Sequence, residues 1–285
     1  MSASTCIEGV GLGLRSQHYE ELLSSRRDVP WLEVLADNYA HGDGLPLRHL
    51  DRARALYPVV FHGVGMSLGS TDPLDGDYVA AIRRLARRIE PAWISEHLAW
   101  VSAGGRHHHE LLPLPFCEEA VGTVAAHVRE VQDRLGQRIL VENAAGYLRF
   151  ACSRMSEAEF IAAVVAEADC DLLLDVSNLH VNARNHGYDP LVFLETIPGD
   201  RVRQMHLAGY DDHGSHLIDA HGSPVSEATW ALFIQVQGRF PGVPTCIEWD
   251  RDVPPFAVLA GERTRAAAIV DAAVDAAQRE ACLAS

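Results

Sequence analysis

Short apolar runs alternate with longer amphipathic stretches from one end of the chain to the other. The apolar runs predict strands at 9–14, 31–36, 58–63, 93–99, 139–143, 172–176, 202–207 and 245–249. Several, such as ILVEN and LLLDV, are apolar without alternation, the pattern of parallel strands buried on both faces. Helical periodicity falls between them, at 17–25, 47–56, 78–88, 118–135, 157–167, 191–196, 226–240 and 261–279. Start signals support two of these helices. Ser156 with Glu159 forms a capping-box pattern, and Asp189 precedes Pro190.

Eight strands, each followed by a helix, predict an α/β protein of the (β/α)8 TIM-barrel class. Order alone leaves a doubly wound sheet open. The 285 residues fall in the range that such barrels use as one domain, and no linker or repeat divides them. The expectation is a single domain over 1–285, with its core at about 9–272 and a C-terminal tail at about 273–285. Gly9, Gly11 and Gly13 lack the spacing of a dinucleotide loop and predict a first strand with a close backbone approach.

Composition narrows the chemistry. All 24 basic residues are Arg, so a Schiff-base enzyme, a pyridoxal-phosphate enzyme and a Walker-A nucleotide binder are excluded, since each needs a lysine amine. The formal charge of −15 disfavours a nucleic-acid partner. Six widely spaced cysteines form no C-x-x-C pair, which argues against a zinc ribbon, a thioredoxin-type site and a disulfide scaffold. The opening residues lack a signal-peptide pattern, and no apolar run reaches membrane-spanning length. A cytoplasmic protein with no membrane partner is therefore expected.

The candidate chemistry lies at the ends of the apolar runs, where a barrel builds its site. The runs end in His62, Glu96 with His97, Glu142 with Asn143, Asp175 with Asn178 and His180, His206, Asp219 with His221, and Glu248 with Asp250. Carboxylates and imidazoles in such apolar surroundings need charged partners, and a shared metal cluster would supply them. So many donors exceed one tetrahedral zinc and suit two or three ions bridged by a carboxylate. Mixed His and carboxylate donors without thiolate fit iron, manganese or zinc. Asp219-x-His221 would place two donors on one side of an extended segment. His107, His108 and His109 sit in a Gly-rich stretch read as an exposed or substrate-facing loop.

In order, FHGVGMSLGS, ISEHLAW, ELLPLPF, RILVENAAGYLRF, LLLDVSNLHVNARNHG, MHLAGY, IDAHGSPV and IEWD resemble the multinuclear non-haem iron-dependent oxidative enzymes, which include the methanobactin biosynthesis oxidase. The resemblance implies a TIM barrel of the xylose-isomerase-like superfamily. Carried over by motif, one iron would be held by His62, His97 and a bridging Glu142. A second would be held by Glu142, Asp175, His206 and Glu248, and a third by Asn178, Asp219 and His221. Glu142, Asp175 and His206 would carry the catalytic metals.

The resemblance further implies two or three iron ions in mixed Fe(II)/Fe(III) valence, with dioxygen as co-substrate. The substrate would be a residue, above all Cys, of a ribosomally made precursor peptide, delivered by a separate peptide-recognition partner protein. Ser177 and Tyr210 depart from the residues expected in relatives and bear on the substrate pocket more than on the metals. Rival readings are a metal-dependent sugar isomerase or epimerase, an endonuclease-IV-like phosphodiesterase, and a non-catalytic metal- or peptide-binding barrel.

Overall fold

The computed structural model of the chain describes residues 7–283, so Cys6 lies outside the described residues. Eight parallel strands close a barrel: β1 (Val10–Gly13), β2 (Leu32–Leu35), β3 (Val59–Gly63), β4 (Ile94–His97), β5 (Leu140–Glu142), β6 (Asp171–Asp175), β7 (Val202–Leu207) and β8 (Thr245–Ile247). Each pairs with its sequence neighbours, and Val10 opposite Thr245 closes the ring. Every predicted strand is present within a few residues. The TIM barrel, not a doubly wound sheet, is the fold.

Around it run α1 (Tyr19–Ser24), α2 (Leu45–Leu56), α3 (Gly76–Ile89), α4 (Glu118–Leu135), α5 (Glu157–Ala168), α6 (Val176–His186), α7 (Pro190–Thr196), α8 (Glu227–Arg239) and α9 (Phe256–Leu283). The capping box forms at Ser156 and Glu159, and Asp189 caps α7 ahead of Pro190. Helix α9 continues across residue 272 to Leu283. Helix α6 was not foreseen, because LLLDVSNLH reads as one strand end. Asp175 ends β6 and also caps α6, its side chain accepting from the Asn178 amide, and Gly187 closes the helix in the left-handed conformation.

Two antiparallel hairpins stand outside the barrel, Trp100–Ala103 with Arg106–Leu112 and Tyr210–Asp212 with Leu217–Asp219. The first turns on Gly104 and Gly105, both at positive φ, as a tight two-residue turn requires. His107–His109 are thus exposed strand residues, not loop residues, because the glycines that suggested a loop make the turn itself.

Side-chain alternation splits the strands into two faces. Leu12, Leu32, Phe61, Ile94, Val141, Leu172, Leu174 and Ile247 point outward into the main apolar core beneath the helices. The opposite face fills the barrel. At one end an apolar plug gathers Ile7, Trp31, Val60 and Cys246. Two residues further along the same strands stand Glu33, His62 and Glu248, so apolar filling gives way to ionisable groups toward the C-terminal mouth. The plug depends on Gly11, as expected of a close approach: a Cβ there would lie 2.4 Å from the Trp31 ring.

Gly11→Ala should therefore destabilise the protein by about 1–3 kcal/mol through overpacking. Chemical denaturation followed by tryptophan fluorescence checks it, and stability equal to wild type would remove Trp31 as the limiting contact.

Candidate metal centre

Each donor-bearing side chain comes from the mouth end of a strand or the loop just beyond it. His62 lies on β3, His97 ends β4, Glu142 ends β5, Asp175 ends β6, His206 lies on β7, and Glu248 follows β8. Parallel register brings them to one level: His97 pairs with Glu142, and Asp175 with His206. Glu142 and Asp175 are at most 1% exposed.

The side chains gather into groups whose donor atoms lie within 4.8 Å of one another. One is His62, His97 and Glu142, and another is Glu142, Asp175, His206 and Glu248. Glu142 joins them. Its Oε2 faces the Nε2 atoms of His62 and His97, each at 3.4 Å, while its Oε1 lies 3.2 Å from His206 Nδ1. Burial would push the Glu142 pKa up, but the imidazoles of His97, His206 and His62 outweigh it and hold it at about 2. Asp175 goes the other way, to about 7, through burial and the nearby charges of Glu142 and Asp219.

Every imidazole is anchored from behind. His62 Nδ1 meets Ser95 Oγ at 2.8 Å, His97 Nδ1 the Gly63 carbonyl at 3.1 Å, and His221 Nδ1 Asp250 Oδ2 at 3.0 Å. His206 Nε2 meets Glu33 Oε2 at 2.9 Å. Such anchors settle which nitrogen faces the centre, the arrangement found around metal-bound histidines. Glu142 Oε2, Asp175 Oδ2, Asn178 Oδ1, His206 Nδ1, Asp219 Oδ1 and His221 Nε2 are buried without a hydrogen bond of good geometry. Orphaned buried polar atoms are costly. Here they converge, and a shared cation would satisfy them.

The third expected set comes together in a different form. His221 Nε2 lies 2.7 Å from Asp219 Oδ1, but its Nδ1 side faces Asp250 and Glu248, and it is His221, Glu248 and Asp250 that form a compact donor group. His221 itself adopts φ 47°, in the left-handed region, where the chain leaves the hairpin. Asn178 donates to the Asn143 carbonyl and keeps Oδ1 unpartnered.

Three residues at the strand ends serve elsewhere. Glu96 accepts from the Met66 and His97 amides, and Asn143 latches β5 to the Asp175 backbone by two hydrogen bonds. His180, on α6, stacks on Tyr210. Sequence reasoning missed Glu33 and Arg15. Arg15 donates to Asp250 and lies 3.8 Å from Glu248, the one guanidinium among these carboxylates within the described residues. Glu33 is hidden in an apolar strand, WLEVL, with nothing else in the run to mark it.

Beside the centre opens a cavity of about 270 Å³ lined mostly by apolar side chains, among them Leu98, Leu114, Phe116, Ile161 and Phe193. It adjoins the donors: Leu98 follows His97, Asn143 follows Glu142, and Asn182 stands one turn beyond Asn178. Glu157 also lines it, bonded to Asn182 and Tyr188 at 3.0 Å each, and burial raises its pKa to about 7. A raised carboxyl pKa costs stability above about pH 7 and nothing below about pH 4.5, where folded and unfolded forms are both protonated. Glu157→Gln should thus gain about 1–3 kcal/mol at pH 8 and little at pH 5. Thermal unfolding at the two pH values tests this, and an equal change at both would reject it.

Solved structures share the fold at low identity. Endonuclease IV from Thermus thermophilus aligns with a TM-score of 0.57 at 18% identity, covering 94% of this chain and 99% of that one. An L-ribulose 3-epimerase aligns at 0.59 and 14%, covering 98% of each. Closer in sequence are UPF0276 proteins of Acaryochloris marina, 50% identical over 93% of this chain and 96% of the relative, and of Anaeromyxobacter sp. strain Fw109-5, 46% identical over 96% of each. Residues 9–271 match the family described as RiPP precursor modification enzyme MbnB/TglH/ChrH, where RiPP denotes a ribosomally made, post-translationally modified peptide. The chain belongs to the MbnB/TglH/ChrH family of RiPP precursor modification enzymes.

Proposed function

We propose that this protein is a multinuclear iron-dependent oxidase that uses dioxygen to modify a residue, most readily Cys, of a ribosomally made precursor peptide. Glu142 carries the reading, since one carboxylate joins two donor groups at the barrel mouth. His62, His97 and Glu142 would hold one iron; Glu142, Asp175, His206 and Glu248 would hold another. Asn178, Asp219 and His221 would serve a third, with Glu248 and Asp250 close by. Bound iron would supply thiolate affinity and the redox partner for dioxygen. No residue of the described chain takes that part, and the donor chemistry of His and carboxylate suits it.

The chain's own contribution is placement. Anchored imidazoles and the shared carboxylate keep the donors at one level, and the closed barrel beneath keeps bulk water away. The apolar cavity beside the centre would seat side chains flanking the reacting residue, which suits a peptide better than a sugar. A separate partner protein would present the rest of the peptide. The net charge of −15 weighs against a phosphodiester substrate.

Protein isolated without chelator should carry at least two irons per chain. Glu142→Ala should lose metal from both groups, whereas Asn178→Ala should keep two. Elemental analysis and Mössbauer spectroscopy read the outcome. Stoichiometric zinc with activity indifferent to iron, or full two-iron occupancy in Glu142→Ala, would defeat the assignment.

Incubation of the iron-loaded enzyme with a Cys-bearing precursor peptide encoded nearby, and any adjacent partner protein, should change the peptide mass only in air. Mass spectrometry should place the change at Cys. A change that survives replacement of every Cys by Ser would reject Cys as the target while keeping the iron barrel.

A further inference from the structure

We propose that Glu33 is a positioning residue for the centre: its carboxylate holds His206 Nε2–H and thereby commits Nδ1 to the metal. The inference rests on the metal-binding reading above and adds a residue outside every donor set expected from the sequence. Glu33 lies on β2, in register with Val60 of the plug, and is 1% exposed. Its Oε2 stands 2.9 Å from His206 Nε2, across 173 positions of sequence.

The carboxylate is itself held. Trp93 Nε1 donates to Gln204 Oε1, which leaves the Gln204 amide nitrogen donating to Glu33 Oε2 beside His206 Nε2, 2.9 Å away, so that amide and imidazole both meet the same carboxylate oxygen. Indole, amide and carboxylate thus form a chain rising from the apolar plug to His206. Both Gln204 and His206 are fully buried.

His206 differs from its neighbours in orientation. His62 and His97 turn Nε2 toward Glu142, whereas His206 turns Nδ1 toward Glu142 and Glu248, at 3.2 and 2.9 Å. That orientation directs Nε2–H down into the barrel, where an unpaired donor would be costly. Its partner there is an ionised carboxylate, whereas a hydroxyl backs His62 and a backbone carbonyl backs His97. A carboxylate behind a metal-bound imidazole fixes its tautomer and makes the ligand more basic. Glu33 should therefore strengthen the Glu142–Asp175–His206–Glu248 group and leave the His62–His97–Glu142 group largely alone.

The test is anaerobic titration of the full-length protein with ferrous iron against a chelator. Glu33→Gln keeps the shape and an acceptor for Nε2–H but removes the charge. One class of site should weaken by about 10–100-fold, the other by less than about twofold, and Glu33→Asp should recover part of the loss. Long-range ¹H–¹⁵N spectra of zinc-loaded wild type should show His206 bound through Nδ1 with Nε2 protonated. That readout needs no substitution and so survives a variant that fails to fold. Unchanged affinity at both sites in Glu33→Gln, or zinc on His206 Nε2, would overturn this inference alone. A wild type that takes up no metal would overturn it together with the metal reading.

Discussion

The structure turns on one electrostatic problem, the burial of several carboxylates at the mouth of a closed barrel. Glu33, Glu142, Asp175 and Glu248 are each no more than 4% exposed, and Asp219 and Asp250 stand close by. Isolated ionised carboxylates in such surroundings are untenable. Imidazoles answer part of the charge: Glu142 and Glu33 are held at about 2 against the effect of burial, with His206 prominent in both cases. The His206 and His221 pKa values rise well above their ordinary range, burial being outweighed by the acids around them. Asp175, fully buried and with acids as its strongest neighbours, rises to about 7.

The rest of the barrel is organised to keep that arrangement in place. Ser95, the Gly63 carbonyl, Glu33 and Asp250 each take the far nitrogen of one imidazole, so no ring is free to turn. Asn143 locks the ends of β5 and β6 together, and Glu96 pins the loop that follows β3. Beneath them the plug of Trp31, Val60 and Cys246 removes water from the barrel axis. Low polarity there strengthens each hydrogen bond above it and raises the cost of any group left unpaired. The strand-to-helix switch at Asp175 serves the same end, since one carboxyl oxygen caps α6 while the other remains toward the centre.

An apolar cavity next to so polar a centre gives the mouth two characters. Leu98 and Asn143 belong to its wall and directly follow donor residues, so a group bound in the cavity lies against the same strand ends.

Much of this was legible in the chain. Continuous apolar runs such as ILVEN and LLLDV can be buried on both faces only in a parallel sheet flanked by helices, and eight of them with alternating helices leave few topologies. Ionisable residues closing those runs marked the strand ends, because a charge there needs a partner. Local sequence could not show which of them meet. Glu96 and Asn143 have the same residue types and positions as true members of the cluster, yet their side chains turn to backbone amides and carbonyls. Helix α6 was masked because its first turn, Val176–Leu179, follows the strand without a break and is buried like it, and the geometry at His221 depends on a hairpin exit that no spacing rule encodes. Glu33 was invisible for the plainest reason. Its partner lies 173 residues away, and only the closure of the barrel, which sets β2 across from β7, decides that a lone glutamate in an apolar strand stands behind an imidazole.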